Sequence, residues 1–333
     1  MVSEKVVILQ TSNVMTQMDY QDKEAVFARV AEQLSDYSFL ESKGVLHEYS
    51  DSSLIPSAKA LRELVELCRA VFFPGFYDGD GSLGRIHELM AGQIAAGLYM
   101  DERPKHGEAC NVEGIASASP EVVPTARAGI KESRERSDKD TVRAEADAIA
   151  TLVVERLPEV KALLETDVEA AYRGDPAAST YSEVVSCYPA IRALSIYRLA
   201  HVMHMEGVPL IPRILTEMAH SETGIDIHPA AQIGSHFTID HGTGVVIGAT
   251  TVIGNNVKLY QGVTLGAKSF PLGKDGVPIK GILRHPILKD NVIVYSNATI
   301  LGRVTVGEGA VIGGNMWITD DVPAGAKLTL QCR

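Results

Sequence analysis

The chain is poor in the features that mark secreted, membrane-spanning or nucleic-acid-binding proteins. Its 333 residues include only four cysteines, Cys68, Cys110, Cys187 and Cys332, and no CxxC pair. That scatter excludes a disulfide framework and a thiolate zinc site. No run of about 18 apolar residues is present to span a membrane, and the opening "MVSEKVVILQTSN" lacks the apolar core of a signal peptide. A cytoplasmic location is therefore expected. Positive charge is also scarce: the formal net charge is −11, which argues against a general nucleic-acid binder. The acidity is uneven. Residues 251–333 hold nine Lys/Arg against five Asp/Glu, a net +4 that leaves −15 for residues 1–250. A basic end on an acidic chain suits an anionic small ligand, although on charge alone chance clustering on a solvated face is the favoured account.

With 45% hydrophobic and 22% charged residues, the composition is that of a globular chain long enough for two or three domains. Residues 1–104 read as a helical region. Leu61, Leu64, Val65, Cys68, Val71 and Phe72 follow a 3.6-residue period, with Ser57 as N-cap and Pro74-Gly75 as the stop. A second helix is expected from about Leu83 to Tyr99. Residues 105–140 lose the period and read as a linker or mobile loop. Helices return over 141–222, one starting behind Pro158 and one spanning about Pro189 to Met205.

From residue 223 to 325 the pattern changes to a beat of six. Aliphatic residues stand at Ile227, Ile233, Ile239, Ile247, Ile253, Leu259 and Leu265, and again at Leu288, Val294, Ile300, Val306, Ile312 and Ile318. A six-residue period repeated this often is the hexapeptide signature of a parallel β-helix, in which three hexapeptides form one triangular coil. The expected fold class is therefore α+β: an N-terminal all-α part followed by a left-handed parallel β-helix. Residues 266–284 have no beat and should leave the prism as an excursion loop, where function tends to sit. Residues 326–333 form a short tail.

The beat breaks once more, between Ile239 and Ile247, where the step is eight. That segment, "IDHGTGVVIG", holds Asp240 and His241. Asp226 and His228 lie in "DIHP" and Arg284 and His285 in "RHP". Asp226 lies fifteen residues before His241, roughly one coil below. A carboxylate there can bond the imidazole Nδ1–H and leave Nε2 as a base for an alcohol attacking an acyl carbon. Arg284 can grip a carboxylate through two parallel hydrogen bonds, and Asp240 can hold an ammonium. Together these groups suit an amino acid bearing a hydroxyl.

The segments "DIHPAAQIG", "IDHGTGVVIG", "VTLGAKSFP", "RHPILKDNV" and "ATILGRVTVGEGAVIGG" resemble serine O-acetyltransferase, and the likeness spans roughly residues 165–325. The resemblance implies acetyl transfer from acetyl-CoA to the L-serine hydroxyl, in cysteine biosynthesis, with no covalent enzyme intermediate. It implies His241 as base, oriented by Asp226. Asp175, Asp240, Arg284 and His285 would bind serine, or cysteine as inhibitor. Gly266, Ala267 and Lys268 would contact acetyl-CoA, a co-substrate rather than a bound cofactor, and no metal is implied. It also implies a homotrimer or a dimer of trimers, with sites between neighbouring β-helices. Many relatives carry a flexible tail ending in Ile that docks on cysteine synthase; the ending Cys332-Arg333 leads us to expect no such complex.

Two alternatives stay open at this level. One is another hexapeptide acyltransferase with a different amino acid or a sugar as acceptor. The other is a zinc enzyme of carbonic anhydrase type, because His236 and His241 stand five apart.

Overall fold

The computed structural model of the chain describes residues 25, 27–30, 54–78, 82–100, 139–273 and 276–329. The linker expected at 105–140 lies outside the described residues save for its last two positions, as does the second half of the tail, 330–333. Residues 1–50 belong to a separate unit, whose described residues, 25 and 27–30, are helical. Residues 51–333 form the second unit, which carries the elements that follow.

Seven helices precede the β-helix among the described residues of this unit: α1 (Ala58–Phe72), α2 (Leu83–Tyr99), α3 (Lys139–Glu155), α4 (Leu157–Gly174), α5 (Tyr181–Cys187), α6 (Pro189–Met205) and α7 (Ile211–Thr223). The periodicity located α1, α2 and α6 closely. The Ser57 hydroxyl accepts from Ala60 N–H, as an N-cap should, and Pro189 sits in the first turn of α6. The short α5 and the amphipathic α7 carry no comparable signal in the sequence. The left-handed Gly224 (φ 72°) ends α7 and turns the chain directly into the first strand.

Fourteen short strands follow, from β1 (Asp226–Ile227) to β14 (Lys327–Leu328). They stack into three parallel sheets. One holds, in order, β1, β4 (Val246–Ile247), β7 (Thr264–Gly266), β10 (Thr299–Leu301) and β13 (Trp317–Ile318); a second β2 (Gln232–Ile233), β5 (Val252–Ile253), β8 (Ile287–Leu288) and β11 (Thr305–Val306); and a third β3 (Thr238–Asp240), β6 (Lys258–Tyr260), β9 (Ile293–Val294), β12 (Val311–Ile312) and β14. The chain visits the sheets in rotation, so three strands make one coil of a triangular prism. Here these are called the first, second and third sheets. The residues used below lie on β3 (Thr238–Asp240), β4 (Val246–Ile247), β6 (Lys258–Tyr260), β7 (Thr264–Gly266) and β8 (Ile287–Leu288).

The beat of six corresponds to the interior of the prism. Ile227, Ile239, Ile247, Ile253, Leu259, Leu265, Leu288, Val294, Ile300, Val306, Ile312 and Ile318 are buried; only Ile233 is partly open. Each fully buried aliphatic side chain contributes about 1.5–3 kcal/mol relative to exposure. A second buried residue stands two positions earlier, as in Ala231, Val245, Val257, Val263, Val292 and Ala298. One core runs without interruption from Leu54 in the helical part to Val322 in the last coil.

The helical part is fastened to the first coil by a buried ion pair. Arg198 of α6 donates to both carboxylate oxygens of Asp167 on α4, at 2.6 and 2.8 Å, and to Gly234 O at 2.8 Å. Asp167 also accepts from Phe237 N–H at 3.1 Å. Burial pushes the Asp167 carboxyl up while Arg198 pulls it back. Nearby, Tyr197 donates to Ala231 O at 2.6 Å. These bonds set α4, and hence the residues at its C-terminal end, against the β-helix.

Candidate active site

The register explains the broken beat. Asp240 pairs with Tyr260 and Val246 with Thr264 of the coil above. From Asp240 to Val246 the chain takes six steps, where the next coil takes four from Tyr260 to Thr264. The two extra residues lie in the corner between the third and first sheets. Three residues there are left-handed: His241 (φ 58°), Gly242 (φ 96°) and Gly244 (φ 81°). A positive φ is costly for a residue with a Cβ, so His241 is held in a strained conformation. Its side chain stands out from the prism, 74% exposed.

This corner meets the end of α4. His241 Nε2 is 3.8 Å from Asp240 Oδ1, and the other Asp240 oxygen accepts from Lys258 Nζ at 3.0 Å. Asp175, the C-cap of α4, accepts from Ala177 N–H at 2.8 Å and from Tyr188 Oη at 2.5 Å. These two bonds, and then the positive fields of Lys258 and His241, hold the Asp175 carboxyl below its ordinary range. The Tyr188 hydroxyl is pushed up by the same hydrogen bond. The structure thus brings together three of the sequence candidates, Asp175, Asp240 and His241. It adds two that the sequence reading missed, Tyr188 and Lys258. Neither belongs to a motif; Tyr188 is brought in by the docking of the helices on the β-helix, and Lys258 by the register of β6 over β3.

Asp226 is placed differently from the expectation. Its coil partner is Val246, twenty residues on, because the two inserted residues lengthen the first coil. Its carboxylate lies 3.9 Å from Arg213 of α7 and forms no hydrogen bond with His241 within one chain.

Arg284 and His285 occupy another edge of the prism, between the first and second sheets. The excursion loop leaves after β7 and returns before β8, folding back with Leu272 bridged to Pro278. Thr250 organises its return. The Thr250 hydroxyl accepts from the N–H groups of Arg284 (3.0 Å) and His285 (3.1 Å), and bonds His285 Nδ1 at 2.8 Å. Thr250 N–H also donates to Nδ1, at 3.1 Å. With Nδ1 an acceptor, the neutral ring carries its proton on Nε2. Burial, then the fields of Arg284 and Arg303, pull the His285 pKa down to about 4. His228 is likewise pulled down to about 4 by burial and by Arg213, His204, His285 and Arg284. Arg284 Nε is buried without a hydrogen-bond partner. Gly266, Ala267 and Lys268 lie by the same edge, with Gly266 O accepting from Gly302 N–H at 3.0 Å. The edge therefore offers hydrogen-bond donors to an anion.

The zinc alternative loses its geometry. His236 and His241 sit at successive corners, and His236 faces Glu169 of α4 at 3.7 Å. His201, on α6, is bonded to Pro229 O at 2.7 Å.

A hexapeptide prism that lifts a histidine out of its own repeat beside two carboxylates defines a hexapeptide-repeat acyltransferase. No family model matches the chain. Individual proteins do. Over 276 residues it is 44% identical to the plasmid serine acetyltransferase of Synechococcus elongatus, covering 83% of this chain and 82% of that one. It is 41% identical over 161 residues to serine acetyltransferase of Bacillus subtilis, covering 48% of this chain and 70% of the relative. The crystal structure of Entamoeba histolytica serine acetyltransferase 1 in complex with L-cysteine superposes with a TM-score of 0.63 at 32% identity, over 84% of this chain and 92% of that one. The chain belongs to the serine acetyltransferase family. Among the described residues no helix is long and apolar enough to cross a membrane.

Proposed function

We propose that the protein transfers the acetyl group of acetyl-CoA to the hydroxyl of L-serine, giving O-acetyl-L-serine and CoA. The observation that carries the reading is the Asp240–His241 corner. Serine bears its amine and hydroxyl on adjacent carbons. An ammonium on Asp240 and Asp175 then presents the hydroxyl to His241 Nε2, 3.8 Å from the same carboxylate. His241 takes the hydroxyl proton as the oxygen attacks the thioester carbon. A C–O bond forms, the C–S bond breaks, and the thiolate leaves with the proton returned by the imidazolium. Acetyl-CoA is consumed as co-substrate; its acyl carbon is already activated, and the reaction as written has no step for a metal.

Arg284 and the Nε2–H of His285 take the serine carboxylate, and Gly266, Ala267 and Lys268 contact acetyl-CoA. These groups and His241 belong to different edges of one prism. The complete site therefore forms between two β-helices of a homotrimer, each supplying one edge, and a dimer of trimers keeps the same sites. Asp226, set against Arg213, is assigned no step within one chain. The complex of the Entamoeba relative with L-cysteine supports cysteine as an occupant of the serine site. The experiment is CoA release from acetyl-CoA with L-serine, L-homoserine, D-serine and acetyl-accepting sugars compared. A preference for L-serine is expected. A preferred sugar or homoserine would move the enzyme to another hexapeptide acyltransferase.

A further inference from the structure

Lys258 is not among the groups assigned a step above, yet it touches the site from three sides. It lies on β6, one coil above Thr238 of β3. Its ammonium donates to Asp240 Oδ2 at 3.0 Å and to Gly174 O at 2.8 Å, and stands 4.6 Å from the Tyr260 ring centroid. Its side chain is 16% exposed. Gly174 is the last residue of α4, immediately before Asp175. A cation at the carbonyl end of a helix is favoured by the helix dipole. Burial pulls the ammonium down, but the bonds to Tyr260 and Asp240 outweigh it, and the charged form is favoured.

We propose that Lys258 is a positioning residue for acetyl transfer: a fixed counter-charge that clamps Asp240 to the end of α4 and so holds Asp175, Asp240 and His241 in one geometry. The proposal rests on the reading of Asp175 and Asp240 as the ammonium site of the acceptor. Two acidic side chains face one substrate ammonium, and Lys258 cancels the surplus negative charge. By occupying Oδ2 it leaves Oδ1 turned towards His241. The charged and titratable groups around this centre are Asp240 from β3, Tyr260 from β6, Asp175 at the end of α4, and Tyr188 with Glu183 of α5 near it. Glu169 of α4 is engaged by Arg173 and His236 instead. Without Lys258 the Asp240 carboxylate can rotate, and the C-terminal end of α4 loses its bond to the prism at Gly174 O. Two uncompensated carboxylates then face the imidazole and favour its protonated form.

The test compares Lys258→Met, Lys258→Arg and Asp240→Asn in the full chain, by pH profile of kcat/KM for serine, KM for acetyl-CoA, and Tm. Lys258→Met is expected to lower kcat/KM for serine about tenfold. It should move the acid limb of the profile up by about half a pH unit or more and leave KM for acetyl-CoA unchanged. Lys258→Arg should restore most of both. If Asp240→Asn keeps wild-type kcat/KM for serine, the acceptor-site reading itself fails. If Asp240→Asn is impaired but Lys258→Met retains both rate and acid limb, the role of Lys258 alone is overturned. It is equally overturned if Lys258→Met weakens both substrates alike with a lowered Tm and no shift of the acid limb, which is the behaviour of a purely structural residue.

Discussion

Gly248 lies directly beneath the His285 ring: a Cβ built on Gly248 would stand 2.1 Å from His285 Cδ2 and 2.3 Å from Nε2. The glycine of this hexapeptide corner is thus the floor of the imidazole that we assign to the serine carboxylate. Gly248→Ala must displace the ring and with it the Nε2–H. A hydrogen bond to a charged group is worth about 1.5–3 kcal/mol. The expected outcome is a loss of at least about tenfold in kcat/KM for serine, carried mainly by KM, in initial-rate measurements at fixed acetyl-CoA.

The bulge that carries His241 depends on Gly242. Its φ is 96°, and a Cβ there would come within 2.5 Å of Ile225 Cδ1. Gly242→Ala is expected to destabilise the fold by about 1–3 kcal/mol and to lower kcat, because the corner must shift under His241. Urea unfolding followed by circular dichroism, paired with the CoA-release rate, measures both.

How much of this was legible in the sequence follows from what each signal encodes. The beat of six is a local rule about which side chains enter the prism, and so it located the strands and the excursion loop. The break at "DHGTG" was visible for the same reason, and the corner with inserted residues is where the structure has it. Which residue lies above which is a matter of coil length. Two inserted residues make the first coil twenty long, which sets Val246 rather than His241 over Asp226. Tyr188 comes from packing the helices against the prism, and Lys258 from the stacking of β6 on β3; both are long-range events with no local pattern. The separation of His241 from Arg284 and His285 onto different edges likewise needs the rotation of strands among three sheets.

The pair Asp167–Arg198 makes a prediction about assembly of the unit. Both side chains are buried, with relative exposures of 0% and 4%. Removing one partner leaves a buried charge uncompensated, at a cost of about 3–5 kcal/mol. Asp167→Ala or Arg198→Ala should lower the denaturation midpoint accordingly. A change under about 1 kcal/mol would mean that the pair behaves as a surface ion pair.

Stability should also fall on the acid side of neutrality. His228 and His285 are pulled down to about 4 in the folded protein, against about 6.5 in an unfolded chain. Between those values the unfolded state binds protons that the folded state does not, so stability rises with pH across this window and falls as pH drops from about 6.5 towards 4. Below about 4 both states are protonated at these sites and they add no further slope. Thermal melts of the wild type and of the His228→Gln/His285→Gln double variant, taken from pH 7 to 4.5, test this: the variant should show the shallower decline.

The central claim is that His241, lifted out of the repeat, is the base that takes the proton from serine. Its most direct test is the steady-state release of CoA from acetyl-CoA and L-serine by the wild type and by His241→Ala, with Tm and oligomeric state measured on both. The account predicts an unaltered fold and assembly with kcat lowered by at least about 10². A correctly assembled His241→Ala that turns over L-serine at the wild-type rate would contradict it.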